Sequence, residues 1–396
     1  MKKRIGIFLL IVSFFTVDAT IGYVKKEKQE PTIFEEPKEI RAVYISYLEY
    51  FNHFYGGSKT INQAKIDKMI DNIVSSKFNT ILLHVSPFSD SIYASKLFPY
   101  SYTLTGKEDK DPGFDYLDYF IKKSHAKKIK LYAWINPYRI SFDNNTKNIS
   151  EKNPAYQLLN TTNVKISQNG IYYNPASEIV KSLILRQVEE IINKYPVDGI
   201  HFDDYFYMQK DIDKLEYENY QKNGGEMSLK EFRLFHTNDL IKRVYKTIKD
   251  KNKDIIFSIA PDGNINNNYT YHYADVKTWL KSNEYIDMIM PQIYYGFENE
   301  YAPFTKSLDN WIKLVTNKEI LIVPVLAIYK SGIEDLEAGS GKKEWISNSD
   351  IVIRQVKLIR LLELDGYSLF RYDFMYNKAI MSGQGVNEML NLEKIN

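Results

Sequence analysis

The sequence predicts an α/β protein, a (β/α)8 TIM barrel with inserted loops at the C-terminal face of its strands. Eight short apolar segments recur along the chain, and segments with helical periodicity separate them. The apolar segments are nearly continuous, which is typical of parallel strands that helices cover on both faces. Eight such strands close a barrel, and polar residues follow most of them, where a barrel has its functional mouth.

We expect the eight strands at residues 42–47, 80–86, 130–136, 199–203, 255–260, 288–294, 320–328 and 366–372. The predicted helices, which carry apolar residues at three- and four-residue spacing, are 66–76, 115–127, 176–194, 229–249 and 350–364. An open doubly wound sheet shows the same alternation of strands and helices. That fold has a glycine-rich phosphate loop after its first strand, whereas Tyr47-Leu48-Glu49-Tyr50-Phe51 stands here, so we favour the barrel.

The composition predicts a globular domain of ordinary polarity. The chain has 396 residues, of which 44% are hydrophobic and 26% are charged. Its 52 basic and 50 acidic residues give a formal net charge of +2. Because the sequence also lacks a basic stripe and a nucleic-acid motif, we expect no nucleic-acid partner. The absence of cysteine excludes disulfides and a lipid-modified cysteine.

The N-terminal residues differ from the rest of the chain. Residues 1–24 combine a basic start, an apolar run at 5–17 and a small-residue pattern at 17–19, which predicts a signal peptide or an N-terminal anchor. Residues 25–39 are polar and contain Pro31 and Pro37, which predicts a linker to a barrel domain at 40–396. We expect an exported protein, secreted or associated with the cell envelope, which touches the membrane only through an uncleaved N-terminal segment.

The most informative segment is Val197-Asp198-Gly199-Ile200-His201-Phe202-Asp203-Asp204-Tyr205-Phe206-Tyr207. It predicts a buried fourth strand that ends in carboxylates and aromatic residues at the barrel mouth. Because strand side chains alternate between faces, we expect His201 and Asp203 on one face and Asp204 on the other. Asp203 is the main candidate for chemistry, and its alternative role is to organise the barrel top. Alternatively, Asp204 is a structural cap, and His201 is a hydrogen-bonded group in the barrel core.

Other strand ends supply candidates that a barrel brings to the same mouth. They are Asp90 after the second strand, Trp134, Asn136 and Arg139 at the third, Asp262 after the fifth, and Gln292, Tyr294 and Glu298 at and after the sixth. Each has a structural alternative, because loop carboxylates are usually only solvated and aromatic residues at strand ends often pack the rim.

This set of residue types fits the cleavage of glycosidic bonds. The reaction needs a carboxylic acid to protonate the leaving oxygen and a carboxylate that acts as nucleophile or base. We assign the second role to Asp203 and expect the acid to be Glu298 or Asp262. The side chains expected to bind the polysaccharide are Asp90, Trp134, Asn136, Arg139, His201, Asp204, Tyr205, Gln292 and Tyr294. The hypothesis includes no cofactor and no metal ion.

Four motifs follow one another along the predicted barrel. They are the segment from Phe78 to Ser95, Ala133-Trp134-Ile135-Asn136-Pro137-Tyr138-Arg139, the segment from Asp198 to Tyr207, and Pro291-Gln292-Ile293-Tyr294-Tyr295. Together they resemble the glycosyl hydrolase-like 10 family, over roughly residues 41–373. The resemblance implies a TIM barrel in a bacterial envelope or secreted protein, and the family it resembles includes enzymes that act on peptidoglycan glycan strands stripped of their peptides. Tyr132 departs from the family pattern, which has a histidine there.

The fourth-strand segment is also similar to the Asp-Gly-x-Arg-x-Asp pattern of the α-amylase superfamily, which implies a nucleophile role for Asp203. This chain has His201 in place of the arginine, and its fifth strand ends without the glutamate that serves there as acid. Two other functions therefore stay open. One is a hydrolase in which Asp203, Asp204, Asp262 and His201 bind a divalent cation, although no paired histidine spacing indicates zinc. The other is a barrel that binds glycans without cleaving them.

Overall fold

The computed structural model describes residues 39–204 and 206–396. The predicted signal segment, the predicted linker up to residue 38 and Tyr205 lie outside the described residues. The strands are β1 (Ile40–Ile45), β2 (Thr80–Ser86), β3 (Lys130–Ile135), β4 (Arg139–Ser141), β5 (Val164–Ser167), β6 (Gly170–Tyr173), β7 (Gly199–Phe202), β8 (Ile256–Ile259), β9 (Met288–Ile289), β10 (Leu321–Ile322), β11 (Val325–Leu326) and β12 (Gly366–Leu369).

The α-helices are α1 (Tyr47–His53), α2 (Lys59–Ser75), α3 (Tyr102–Thr105), α4 (Tyr116–Ala126), α5 (Glu178–Lys194), α6 (Lys214–Lys222), α7 (Leu229–Lys251), α8 (Ile265–Asn267), α9 (Val276–Trp279), α10 (Phe304–Leu314), α11 (Glu344–Ser347), α12 (Ile351–Leu361), α13 (Asp373–Tyr376) and α14 (Gly383–Ile395). The longer helices overlap the predicted helical segments, although α5 begins two residues later than predicted, at Glu178, and α12 ends three residues earlier, at Leu361. No helix in the described part of the chain combines the length and the apolar character that crossing a bilayer requires.

A ring of parallel strands forms the centre of the fold, in the order β10, β9, β8, β7, β3, β2, β1, β12 and β11. β10 and β11 are two halves of the predicted seventh strand, and they pair with β9 and β12, respectively. Pro324 lies between the halves and has no N–H to donate, but its carbonyl oxygen accepts a hydrogen bond from Ser368 N at 2.9 Å. The seventh strand therefore joins both ends of the sheet, and the predicted (β/α)8 barrel is confirmed.

Several strands differ in length from the prediction. β2 has the predicted bounds, but β1 ends at Ile45, because Ser46 begins helix α1 instead of continuing the strand. The Ser46 hydroxyl accepts a hydrogen bond from Leu48 N at 3.2 Å, and the Glu49 carboxylate accepts one from Ser46 N at 2.8 Å. This capping box makes the predicted end at residue 47 wrong. β9 is also shorter than predicted, and beyond it Gln292 makes only isolated bridges.

Side chains alternate between the barrel interior and the helix layer. One buried cluster contains Tyr44, Leu82, Trp134 and Met290, whereas neighbours of these residues in sequence, such as Leu83, belong to the larger cluster that includes the helices. Tyr44 Oη on β1 lies 3.1 Å from His201 Nε2 on β7, although the two strands are not neighbours in the sheet. The smaller cluster therefore fills the barrel interior.

An insertion after β3 forms a second sheet. Its strands are antiparallel in the order β4, β6 and β5, and Arg139 in β4 pairs with Tyr172 in β6. The insertion follows the C-terminal end of a barrel strand, so it is one of the inserted loops that the sequence predicts at this face.

Three carboxylates stabilise the opposite, N-terminal end of the barrel. Asp198, Asp287 and Asp365 accept hydrogen bonds from the backbone N–H groups of Leu131, Phe257 and Ile322, at 2.7, 2.7 and 2.8 Å. Each bond ties the start of one strand to its neighbour. This end of a barrel serves stability, whereas the C-terminal end carries function.

Replacing Gly199 by alanine is expected to destabilise the barrel by about 1–3 kcal/mol, the usual cost of forcing an extra atom into a packed core. A Cβ atom at this position would lie 2.7 Å from Tyr132 Cγ and 2.9 Å from the backbone oxygen of Ile256. Urea denaturation measures the change. Gly383→Ala is the control, because nothing lies within 4 Å of the Cβ position there. Equal stability of the two variants would contradict the tight packing of β7 against Tyr132.

Candidate active site

A cavity of about 280 Å³ opens among residues at the C-terminal ends of the barrel strands. The predicted site residues that line it are Trp134, Asn136, Arg139, Asp203, Asp204, Gln292 and Tyr294. They come from the ends of the third, fourth and sixth barrel strands. The structure thus brings these seven side chains together, while their roles stay predictions.

Asp203 and Asp204 follow β7 directly, and both line the cavity. The expectation that Asp204 faces away from Asp203 is wrong, because β7 ends at Phe202 and strand alternation no longer holds beyond it. Two consecutive carboxyl groups therefore reach the same space. Asp203 is only 4% exposed, and Asp204 is partly exposed.

Asp203 is oriented by the indole of Trp134. Trp134 Nε1 lies 3.2 Å from Asp203 Oδ2 and 3.2 Å from Asn136 Oδ1, so one N–H is shared between the two acceptors. The amide of Asn136 in turn donates to the backbone oxygen of Pro87 at 3.4 Å. The Trp-Ile-Asn sequence at the end of β3 thereby fixes the carboxylate at the end of β7.

The Trp134 indole is itself held by two rings. His84 stacks on it with a centroid separation of 3.6 Å and an interplanar angle of 9°, and Tyr44 contacts it edge-on at 5.3 Å. Burial lowers the pKa of His84 well below its ordinary value, and the Arg139 charge adds to this. His84 is therefore a neutral ring in the cavity wall.

Asp204 lies in an environment that favours its protonated form. Burial raises the pKa of Asp204, His272 offsets part of this effect, and the Asp262 carboxylate adds to it. Gln292, which lines the same cavity, acts to lower this pKa, and its Nε2 donates to the backbone oxygen of Ala260 at 2.8 Å. The two neighbouring carboxyl groups thus have different surroundings, which is the condition for dividing acid and base roles.

His201 lies beneath the cavity and does not line it. Its Nδ1 lies 2.8 Å from Ser258 Oγ, and its Nε2 lies 3.1 Å from Tyr44 Oη. Burial lowers the pKa of His201 to about 3, so the ring is neutral. Burial also raises the pKa of Tyr44 well above its ordinary value, and Asp203 adds to this. The pair therefore presents a neutral phenol to the cavity.

Asp262, Glu298 and Asp90 lie outside the cavity lining. Burial acts to raise the pKa of Asp262, but His272, whose Nε2 lies 3.7 Å from Asp262 Oδ2, and hydrogen bonds from Asn264 N at 2.7 Å and Asn267 Nδ2 at 3.0 Å hold it below the ordinary value. Glu298 is exposed, and its backbone N–H donates to Glu344 Oε2 at 2.9 Å.

Asp90 is completely buried and supports the loop after β2. Its Oδ1 accepts a hydrogen bond from Phe88 N at 3.0 Å, and burial raises the pKa of Asp90 to about 7.

Within residues 39–204 and 206–396, no group of three or more His, Asp or Glu side chains has an arrangement that could hold a metal ion.

Sequence reasoning missed eight residues of the cavity wall. They are Tyr44, Ser46, Tyr47, Leu48, His84, Ala260, Tyr329 and Phe370. Most of them lie at or just beyond the end of a barrel strand, and that position is a usable signal. Tyr44 and His84 lie within strands and line the cavity only because it extends below the strand ends. The sequence pattern does not show the depth of the cavity.

Residues 39–340 match the family described as glycosyl hydrolase-like 10. The chain is 29% identical to glycosyl hydrolase YngK of Bacillus subtilis over 353 residues, which cover 83% of this chain and 67% of that protein. It is 30% identical to glycosyl hydrolase DigH of Escherichia coli K12 over 339 residues, which cover 79% of this chain and 76% of that protein.

Two solved structures share the fold. The glycoside hydrolase domain of PgaB (BpsB) from Bordetella bronchiseptica has a TM-score of 0.61 at 14% identity, over 86% of this chain and 96% of that domain. The catalytic domain of β-amylase from Paenibacillus polymyxa has a TM-score of 0.52 at 9% identity, over 90% of this chain and 98% of that domain. At these identities the likeness concerns the fold alone. Because the family match covers more than half of the chain, this protein belongs to the glycosyl hydrolase-like 10 family.

Proposed function

We propose that this protein hydrolyses glycosidic bonds in the glycan strands of peptidoglycan, with Asp203 and Asp204 as its catalytic carboxyl groups. The observation that carries the proposal is that these two groups share one cavity but have different surroundings: Trp134 Nε1 donates to Asp203, whereas burial and the Asp262 carboxylate raise the pKa of Asp204. Membership of a glycosyl hydrolase-like family supports the reaction class. The choice of peptidoglycan follows from the family resemblance and from the predicted export signal at residues 1–24.

Asp204 is suited to the role of general acid. Because burial raises its pKa, it retains a proton to a higher pH than an ordinary aspartate and can donate that proton to the leaving oxygen. Asp262, one acid expected from the sequence, has a lowered pKa, and Glu298, the other, is exposed outside the cavity. The proposal therefore assigns the acid to Asp204 in place of those two.

Asp203 is suited to the role of nucleophile or base. Its position is fixed by the Trp134 N–H at 3.2 Å, and a fixed carboxylate loses little entropy when it meets the anomeric carbon or a water molecule. The remaining wall offers neutral groups, including the Tyr44 hydroxyl and the amides of Asn136 and Gln292. Such groups suit the hydroxyls of a sugar ring, and aromatic faces suit its C–H surfaces.

The proposal is tested by incubating the purified protein with intact and with peptide-stripped peptidoglycan and analysing the products by mass spectrometry. New glycan fragments from the stripped strands are expected, in the presence or absence of a chelator. Fragments that disappear with the chelator and return with one divalent cation would favour the cation-dependent hydrolase. Binding to the glycan without any fragments would favour the non-catalytic barrel.

Replacing Asp204 by asparagine is expected to lower kcat/KM for natural glycan about 10²–10⁴-fold, the usual contribution of a general acid. The loss should be small for an aryl glycoside of the same sugar, because an acidic phenol leaves without a proton. In the wild type, activity should fall as the pH rises through the raised pKa of Asp204, and the variant should lack this alkaline decline. Kinetics of both substrates against pH measure these effects. Equal losses on the two substrates would contradict the acid role.

A further inference from the structure

Five aromatic rings in contact with one another form a cluster beside the cavity, and we call it the aromatic rim: Tyr47, Phe51, Phe88, Tyr102 and Phe142. Tyr47 lines the cavity, and its ring centroid lies 4.8 Å from that of Phe88 and 6.5 Å from that of Phe51. The Tyr102 centroid lies 5.6 Å from Phe51, 5.7 Å from Phe88 and 6.3 Å from Phe142. The rim therefore leads from the cavity to Phe142 through successive ring contacts.

The outer rings of the rim are accessible to solvent. Phe142 is 50% exposed and Phe51 is 37% exposed, whereas Phe88 beneath them is 2% exposed. The five rings come from α1, the loop after β2, α3 and the residue just after β4, so separate parts of the chain build one surface. Contiguous apolar surface that stays in contact with water usually marks a binding site.

We propose that the aromatic rim binds further sugar units of the glycan chain whose scissile bond lies at Asp203 and Asp204. This inference rests on the proposed function and deepens it, because it assigns a surface to the sugar units beyond the cleavage site. We assign a glycan to the rim because Tyr47 belongs to both the rim and the cavity wall. A glycan chain that is bound across the two carboxyl groups would extend along this wall onto the rim. The ring faces match the C–H faces of sugars, and the Arg139 guanidinium, 5.0 Å above the Phe88 ring, adds hydrogen-bond donors beside them.

The proposal predicts that affinity increases with glycan length. In the Asp203→Asn variant, which should bind without cleaving, we expect longer fragments of stripped peptidoglycan to bind more tightly than the disaccharide. Covering one exposed phenylalanine ring should contribute about tenfold, from the transfer free energy of its apolar surface. Phe51→Ala and Phe142→Ala, each added to Asp203→Asn, should therefore each reduce the ratio of long-fragment to disaccharide affinity about tenfold. Isothermal titration calorimetry measures both affinities.

Phe235→Ala is the matched control, because Phe235 is a 52% exposed phenylalanine on α7 and is not part of the cavity or the rim. It should leave the affinity ratio unchanged, and thermal melts check that every variant folds. Three results would each overturn the proposal. They are an affinity that does not depend on glycan length, an affinity ratio that both rim variants leave unchanged, and no binding of long fragments. Hydrolysis by the wild type is assayed separately. If the protein cleaves glycan but its affinity does not depend on glycan length, only the proposal that the rim binds sugars is rejected. If the protein does not cleave glycan, the proposed function is rejected.

Discussion

Replacing Asp203 by asparagine is expected to lower kcat for glycan hydrolysis about 10³-fold, within the range for losing a catalytic acid or base. Asparagine has nearly the same shape and can still accept the Trp134 N–H through its side-chain oxygen, so the cavity should keep its form. It has no charge with which to attack or to stabilise the oxocarbenium-like transition state. The fall should therefore appear in kcat and not in glycan affinity, and steady-state kinetics with a parallel binding assay separate the two.

Asp198→Asn is the matched control for this prediction. Asp198 lies just before the other end of the same strand, where its carboxylate accepts the Leu131 N–H at 2.7 Å. The control should lose some stability but retain kcat, because it acts at the N-terminal end of the barrel. If both variants lost activity to the same extent, the effect of Asp203 would be structural, and the catalytic assignment would be wrong.

Replacing Arg233 by methionine is expected to lower the free energy of unfolding by about 3–5 kcal/mol, the usual cost of removing one partner of a buried ion pair. Arg233 Nε and Nη2 donate to the two carboxylate oxygens of Asp213 at 2.8 and 2.7 Å, and Nη1 donates to the Tyr273 hydroxyl at 2.9 Å. Arg233 is 3% exposed, and Asp213 is completely buried. The variant would leave the Asp213 charge buried without this partner.

The same ion pair anchors the segment that follows the two catalytic candidates, since Asp213 is nine residues beyond Asp204 in sequence. We therefore expect reduced activity along with reduced stability in Arg233→Met. Arg243→Met, on the same helix, is the control. Arg243 pairs with Glu178 at 2.8 Å, but the two side chains are 37% and 66% exposed, so the loss of this pair should cost only about 0–1 kcal/mol. Similar denaturant midpoints for the two variants would contradict the account of a buried pair.

The fold could be predicted from the sequence because each barrel strand carries its own signal. The strands are buried on both faces and therefore read as apolar runs, such as 80–86, where prediction and structure agree. β1 ends earlier than predicted, although the capping-box residues Ser46 and Glu49 are visible in the sequence. The division of the seventh strand at Pro324 depends on pairing with two different neighbours, and only the closed barrel shows it.

The site could be predicted only in part. The sequence predicts Asp203, Asn136 and Gln292 at the barrel mouth, where they line the cavity, because polar residues at the end of an apolar strand are conspicuous. Tyr44 and His84 were missed because an aromatic residue inside a strand looks like core, and only the tertiary structure stacks His84 on Trp134.

The measurement that tests the central claim most directly is glycan cleavage in water enriched in ¹⁸O, followed by mass spectrometry of the products. Hydrolysis places one oxygen atom from water at each new reducing end, whichever role Asp203 has. We predict one ¹⁸O atom per cleaved bond for the wild type and, over the same time, almost no labelled product for Asp203→Asn. Unlabelled fragments, or labelled fragments formed equally fast by the Asp203→Asn variant, would contradict the proposal that this protein is a hydrolase acting through Asp203.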